Sequence, residues 1–183
     1  MIDEIKEYFL EKSNDFNEKY GYNYWENHVK YVTMIAKNLA LDVGADIEIV
    51  QISAILHDIA KVLEEREEES HNIVGAQIAK ELLKNKNYDD EKIDKVCKCI
   101  LYHGGDLGLV QLTKEQWCVR NADILSMFNN ITIFFYLAYH NSNISYEEGR
   151  ELVKDMIYSK YNRLDSKLKE KYNDIFESIY RSI

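Results

Sequence analysis

Five histidines and a few acids are the residues of this sequence with chemistry to offer. His57 is followed at once by Asp58, inside IVQISAILHDIA, a segment apolar nearly all round. An ionised carboxylate in such surroundings is costly unless a cation or several donors meet it, and a metal ion is the simplest single answer. His28, His71 and His103 each lie at the end of an apolar stripe. His28 precedes Val32, Ile35, Ala36 and Leu39; His71 precedes Val74, Ile78 and Leu82; His103 follows Ile93, Val96 and Ile100. At helical spacing these three point inward with their stripes. Imidazole and carboxylate together suit a divalent cation able to activate water. Asp123, in Arg120-Asn121-Ala122-Asp123, adds a candidate carboxylate, although it only borders the stripe of Trp117, Ile124 and Phe128. The competing account is four hydrogen-bonded core histidines. His140, on an apolar face with Tyr136 and Leu137, reads as structural.

The elements that must position these groups are helices. The chain has 183 residues, 46% of them hydrophobic, no proline and seven glycines. Little punctuation is left for hairpins, and an all-α, single-domain helical bundle is expected. Capping-box patterns stand at Asn23-x-x-Glu26, Thr113-x-x-Gln116 and Ser145-x-x-Glu148. Apolar spacing between the breaks predicts helices near 2–14, 24–42, 46–61, 71–85, 90–103, 114–128, 131–141, 146–161 and 166–181. The breaks fall at Gly21, Gly44, the acidic run 64–69, residues 85–89 and Gly104-Gly105-Asp106. Successive helical residues diverge by about 100°, so His57 and Asp58 serve one site only if other groups come round to meet them. The reading is one domain over 1–183, its motif-bearing core at about 24–128 and further helices at 129–183.

Composition excludes several classes. A net charge of −9 repels a phosphate backbone, which argues against a broad nucleic-acid platform. Three cysteines, Cys97, Cys99 and Cys118, do not make a disulfide framework and fit a reducing compartment. Met1-Ile2-Asp3-Glu4 lacks the basic start of an export signal, and the apolar run at 131–139 is about half what a bilayer crossing needs. A cytoplasmic location is expected. Glu64, Glu65, Glu67, Glu68 and Glu69 form a solvated face or the rim of a pocket. The C-terminal tyrosines read as bundle packing, with base stacking the alternative.

The order His28, His57-Asp58 in AILHDIAK, His71 in HNIVGAQIA, His103 in ILYHGG and Asp123 in VRNADILS resembles the HD-domain metal-dependent phosphohydrolase superfamily, whose motif is H…HD…D. The helix beginning H-x-x-x-G-A resembles that of small bacterial members, and the tail from Tyr161-Asn162-Arg163-Leu164 to Arg181 is similar to the terminal helices of one branch. Members of that branch commonly read D-A-D where this chain reads Asn121-Ala122-Asp123. The resemblance implies an α-helical bundle and one or two divalent ions (Fe, Mn, Zn, Ni, Co or Mg). It implies His28, His57, Asp58 and Asp123 at the first ion, and His71 and His103 at a second bridged by Asp58. Lys61 resembles the lysine of HDIxK variants and is expected at substrate phosphate; the alternative is a surface lysine or an ion pair with the glutamates that follow. Arg120 is a second phosphate candidate, since arginine holds phosphate oxygens through paired donors. Asp58, Lys61 and Arg120 are thus the candidate catalytic residues. The implied substrate is a small phosphorylated molecule of nucleotide type. A symmetric dinucleoside polyphosphate hydrolase and a non-catalytic metal-binding sensing module are the alternatives. A homodimer is compatible with the sequence.

Overall fold

The computed structural model describes residues 1–63, 70–105, 108, 110–140 and 143–183. The acidic run at 64–69 and Asp106 lie outside the described residues. Every regular element among the described residues is helical. In chain order these are α1 (Ile2–Lys12), α2 (Asn14–Tyr20), a one-turn π-helical segment (Trp25–Val29), α3 (Lys30–Val43), α4 (Ile47–Leu56), α5 (Ile59–Leu63), α6 (His71–Asn85), α7 (Asp90–Tyr102), α8 (Lys114–Leu125), a 3-10 turn (Ser126–Phe128), α9 (Thr132–His140), α10 (Tyr146–Asn162) and α11 (Ser166–Ser182). No helix among the described residues is long and apolar enough to cross a membrane. The described residues divide into two compact units, Met1–Asp123 and Ile124–Ile183.

In the first unit α4 is central. Asp46 caps it by accepting from the backbone N–H of Glu48 and Ile49, and Ile49, Val50, Ile52, Ala54, Ile55 and Leu56 are all buried. Each of the Ile, Val and Leu side chains among these contributes roughly 1.5–3 kcal/mol when taken out of water. Ser53, in the same core, satisfies its hydroxyl on the Ile49 carbonyl at 2.7 Å. Helices α1, α3 and α7 pack on α4, and α6 packs on both α5 and α7. Gly75 lets α6 come close. A Cβ there would lie 3.4 Å from Ile100 Cγ2 and 3.7 Å from the His57 carbonyl oxygen. The α4–α5 joint, α6 and α7 therefore converge one turn from His71 and three residues from His103.

The helices expected over 2–14, 24–42 and 46–61 each differ from the sequence expectation. The helix expected over 2–14 stops at Lys12, where the buried Ser13 turns its hydroxyl back on the Leu10 carbonyl at 3.1 Å and a second short helix follows. The helix expected over 24–42 begins with a π turn. The helix expected over 46–61 is broken at His57-Asp58, where the Asp58 carbonyl accepts from Lys61 N at 3.0 Å and Val62 N at 3.4 Å and so starts a new helix.

In the second unit α10 packs against α9 and α11. The Ser145–Glu148 capping box is complete. Tyr161 stacks on Phe176 with ring centroids 3.8 Å apart and donates its hydroxyl to the Lys169 carbonyl at 2.9 Å. His140 is exposed and stacks on Tyr136.

Candidate metal centre

Four elements of the first unit bring the histidines together. His28 sits on the π turn, held between the buried Trp25 and Val29; such turns recur at functional sites. His57 follows α4 and directs Nδ1 at the Ala54 carbonyl, 2.8 Å away. His103 follows α7 and does the same to the Ile100 carbonyl at 2.6 Å. A carbonyl only accepts, so both rings donate Nδ1–H and turn Nε2 inward toward Asp58. Ring fixation of this kind is what metal-ligating histidines require. His71 opens α6.

Asp58 lies at the middle. Its Oδ2 is 3.4 Å from His28 Nε2 and 3.3 Å from His57 Nε2, and those two nitrogens are 3.1 Å apart. Its Oδ1 is 3.6 Å from His71 Nε2 and 3.5 Å from His103 Nε2. His28, His57 and Asp58 form one set of potential ligand atoms lying within 4.8 Å of one another; Asp58, His71 and His103 form a second. Asp123 Oδ1 joins the first side, 3.4 Å from His28 Nε2. The break between α4 and α5 lets neighbouring His57 and Asp58 serve one site despite the helical divergence of successive residues.

The donor set fits a divalent cation. Asp58 Oδ1 is buried and makes no well-directed hydrogen bond, although Lys61 Nζ stands 2.9 Å away. That ammonium donates instead to Oδ2 at 3.0 Å, and the Tyr24 hydroxyl donates to the same oxygen at 2.7 Å. Burial pushes the Asp58 carboxyl up, but Lys61 and the surrounding imidazoles outweigh it and hold the group well below the usual carboxylate range. Burial lowers His28 more than Asp58 raises it. At His57 burial also acts downward, yet Asp58 prevails and the net shift is up. Burial, then the Lys61 charge, pulls His71 down to about 4. Near neutral pH the centre therefore presents an ionised Asp58 with neutral His28 and His71, the protonation states that metal ligands need.

All six residues expected as ligands thus lie together. Asn121, the first residue of Asn121-Ala122-Asp123, turns its amide back on the Trp117 carbonyl at 2.8 Å, and Asp123 faces His28. Lys61 reaches Asp58 with 42% of its side chain exposed. Arg120 is buried, its guanidinium directed at the carbonyls of His103, Gly104 and Gly105. Tyr24 is a site residue that the pattern reading missed; its position four residues before His28, on the same helical face, was the available signal. No cysteine among the described residues joins a potential metal set. Burial pushes the Cys99 and Cys118 thiols up to about 12, and the Cys97 thiol donates to the Ala76 carbonyl.

Comparison with known proteins bears on the family and the fold. The HD domain family profile matches residues 25–127. The ribonuclease Y of Petrotoga mobilis is 32% identical over 111 residues, which cover 61% of this chain and 19% of that protein. The ribonuclease Y of Fusobacterium nucleatum is 39% identical over 111 residues, 59% of this chain and 20% of that protein. The chain thus spans about a fifth of the length of these relatives. An uncharacterized protein of Clostridium beijerinckii is 31% identical over 101 residues, covering 52% of this chain and 63% of that one. The crystal structure of a predicted HD superfamily hydrolase from an uncultured Thermotogales bacterium superposes with a TM-score of 0.60 at 21% identity, over 97% of this chain and 92% of that one, a likeness of fold.

Proposed function

The chain belongs to the HD domain family, and on that premise we propose that it is a metal-dependent phosphohydrolase cleaving a phosphate ester of a small nucleotide-like substrate. The observation that carries the reading is the single buried carboxylate, Asp58, shared by two sets of imidazole nitrogens. His28, His57, Asp58 and Asp123 would hold one cation, and His71 and His103, with Asp58 common to both, a second. A nitrogen-rich set of this kind suits first-row transition ions, with Fe, Mn, Zn, Ni and Co ahead of Mg. When bound, such ions generate hydroxide at neutral pH and neutralise phosphoryl oxygens, the two things phosphate ester hydrolysis demands.

The chain's own residues supply the rest. Tyr24 fixes Oδ2 of Asp58, so the carboxylate cannot rotate away from the imidazoles. Lys61 extends from the same carboxylate toward solvent, where its ammonium would meet an arriving phosphoryl oxygen and stabilise charge developing on it. The net charge of −9 favours a small substrate over a long polyanion.

A second reading comes from the relatives named ribonuclease Y, and it makes the substrate an RNA phosphodiester. One experiment addresses both. Metal content is measured by mass spectrometry on purified protein. Phosphate release is then followed from nucleoside monophosphates and, separately, cleavage of diadenosine tetraphosphate and of a short oligoribonucleotide, each with Mn, Fe, Zn, Ni, Co or Mg added back. Metal-dependent turnover of mononucleotides supports the proposal; turnover confined to the dinucleotide or the RNA redirects the substrate class. Stoichiometric metal with no turnover favours a sensing module, and no metal after reconstitution overturns the reading.

A further inference from the structure

The proposed second cation depends on His103 standing where it does, and His103 is not inside a helix. It follows the last residue of α7, where backbone carbonyls have no partner within the helix. Those carbonyls are met from elsewhere. The His103 ring takes the Ile100 carbonyl, and the Asn72 amide, next to His71, donates to the Leu101 carbonyl at 3.2 Å. Arg120 takes three more, beyond the helix end. Its Nη1 reaches the His103 carbonyl at 3.4 Å and the Gly104 carbonyl at 3.1 Å, and its Nη2 reaches the Gly105 carbonyl at 2.8 Å.

A guanidinium is a rigid planar fork, and carbonyls at a helix C-terminus carry partial negative charge. Three such bonds from a residue that is 8% exposed leave the turn little freedom. The turn is also packed tightly from the other side, since a Cβ on Gly104 would lie 3.1 Å from Asn72 Nδ2. Arg120 stands one helical turn before Asp123 on α8. The helix that supplies a carboxylate to the first set therefore also grips the turn carrying a histidine of the second.

We infer that Arg120 is a positioning residue that holds the His103–Gly105 turn so that the His71 and His103 side of the centre takes its cation. This rests on the metal-dependent reading above, and it gives Arg120 a task other than gripping substrate phosphate.

The test is Mn2+ binding by equilibrium dialysis to the full chain, with thermal stability recorded alongside. Wild type, Arg120→Met and Arg120→Lys are compared. Wild type is expected to take two equivalents. Arg120→Met is expected to weaken the second by about 10- to 100-fold, the usual consequence of removing a group behind a ligand, with the first changed less than about threefold. Arg120→Lys, which keeps the charge and the stem, is expected to recover part of the second affinity; if Arg120→Met does not fold, a selective loss at the second ion in Arg120→Lys decides the matter. The inference is overturned if both affinities are unchanged while KM for a phosphate substrate rises, if both fall together with thermal stability, or if wild type takes a single ion. No Mn2+ bound by wild type would overturn the metal-dependent reading itself, a distinct result.

Discussion

The Nε2 atoms of His28 and His57 face each other across 3.1 Å. The His57 ring has committed Nδ1–H to the Ala54 carbonyl, so the space between the two Nε2 atoms accommodates one proton or one cation. In the metal-free protein that proton stays with His57, which Asp58 raises against the lowering effect of burial, while burial keeps His28 low. Cation uptake must displace it. Titration of metal-free protein with Mn2+ near neutral pH is therefore expected to release protons, seen calorimetrically as a binding heat that changes with buffer ionisation enthalpy. Affinity is expected to fall as pH falls, because protonation and metal compete for the same lone pairs. A binding heat independent of buffer would contradict this account of the pair.

Asp58 is the one carboxylate common to both sets, and the single substitutions should separate accordingly. Asp58→Ala is expected to abolish binding of both ions, whereas His71→Ala or His103→Ala is expected to spare the first. Metal-to-protein ratios by mass spectrometry after dialysis read the difference directly. Loss of all metal from each of the three variants would refute the division into two sets.

Tyr24 should matter before any metal binds. Its hydroxyl donates to Asp58 Oδ2 at 2.7 Å inside the core, and hydrogen bonds to ionised groups typically contribute about 1.5–3 kcal/mol. Tyr24→Phe keeps the ring, which meets Phe16 and His28 edge-on, and removes only that bond. The metal-free variant is expected to be less stable by roughly that amount in urea denaturation, a fall in Tm of several degrees at about 2–4 °C per kcal/mol. Unchanged stability would mean that the imidazoles and Lys61 already satisfy the carboxylate without it.

Much of this was legible in the sequence because apolar periodicity reports which way a helix faces. Val32, Val74 and Ile100 fixed the inward faces, and His28, His71 and His103 followed from them. Asp123 could be placed only by resemblance, since it borders its stripe and periodicity cannot say which way a bordering residue turns. The break at His57-Asp58 was invisible for a related reason: a segment apolar on all sides has no phase to lose, and the joint depends on the Asp58 carbonyl starting a new turn. The role of Arg120 was beyond reach. Its partners are backbone carbonyls some fifteen residues upstream, and carbonyls have no sequence signature.

Lys61 offers a test that separates substrate contact from metal binding. Its ammonium sits beside Asp58 while the side chain is 42% exposed, so it can hold the carboxylate ionised and still reach solvent. Lys61→Met is expected to lower kcat/KM for a phosphate substrate by about 10²–10³-fold, the usual cost of losing a donor aimed at developing charge, while both metal equivalents remain. The same substitution has a consequence at acid pH. Because the folded-state value for Asp58 lies well below 3.8, the unfolded chain binds more protons there and the native state loses stability as pH falls through that window. Removing Lys61 deletes the leading cause of the depression, so the metal-free variant is expected to show a weaker fall in stability on acidification below about pH 4 than wild type. Parallel acid profiles for the two proteins would show that the imidazoles alone hold Asp58 ionised, and would leave Lys61 with the substrate role only.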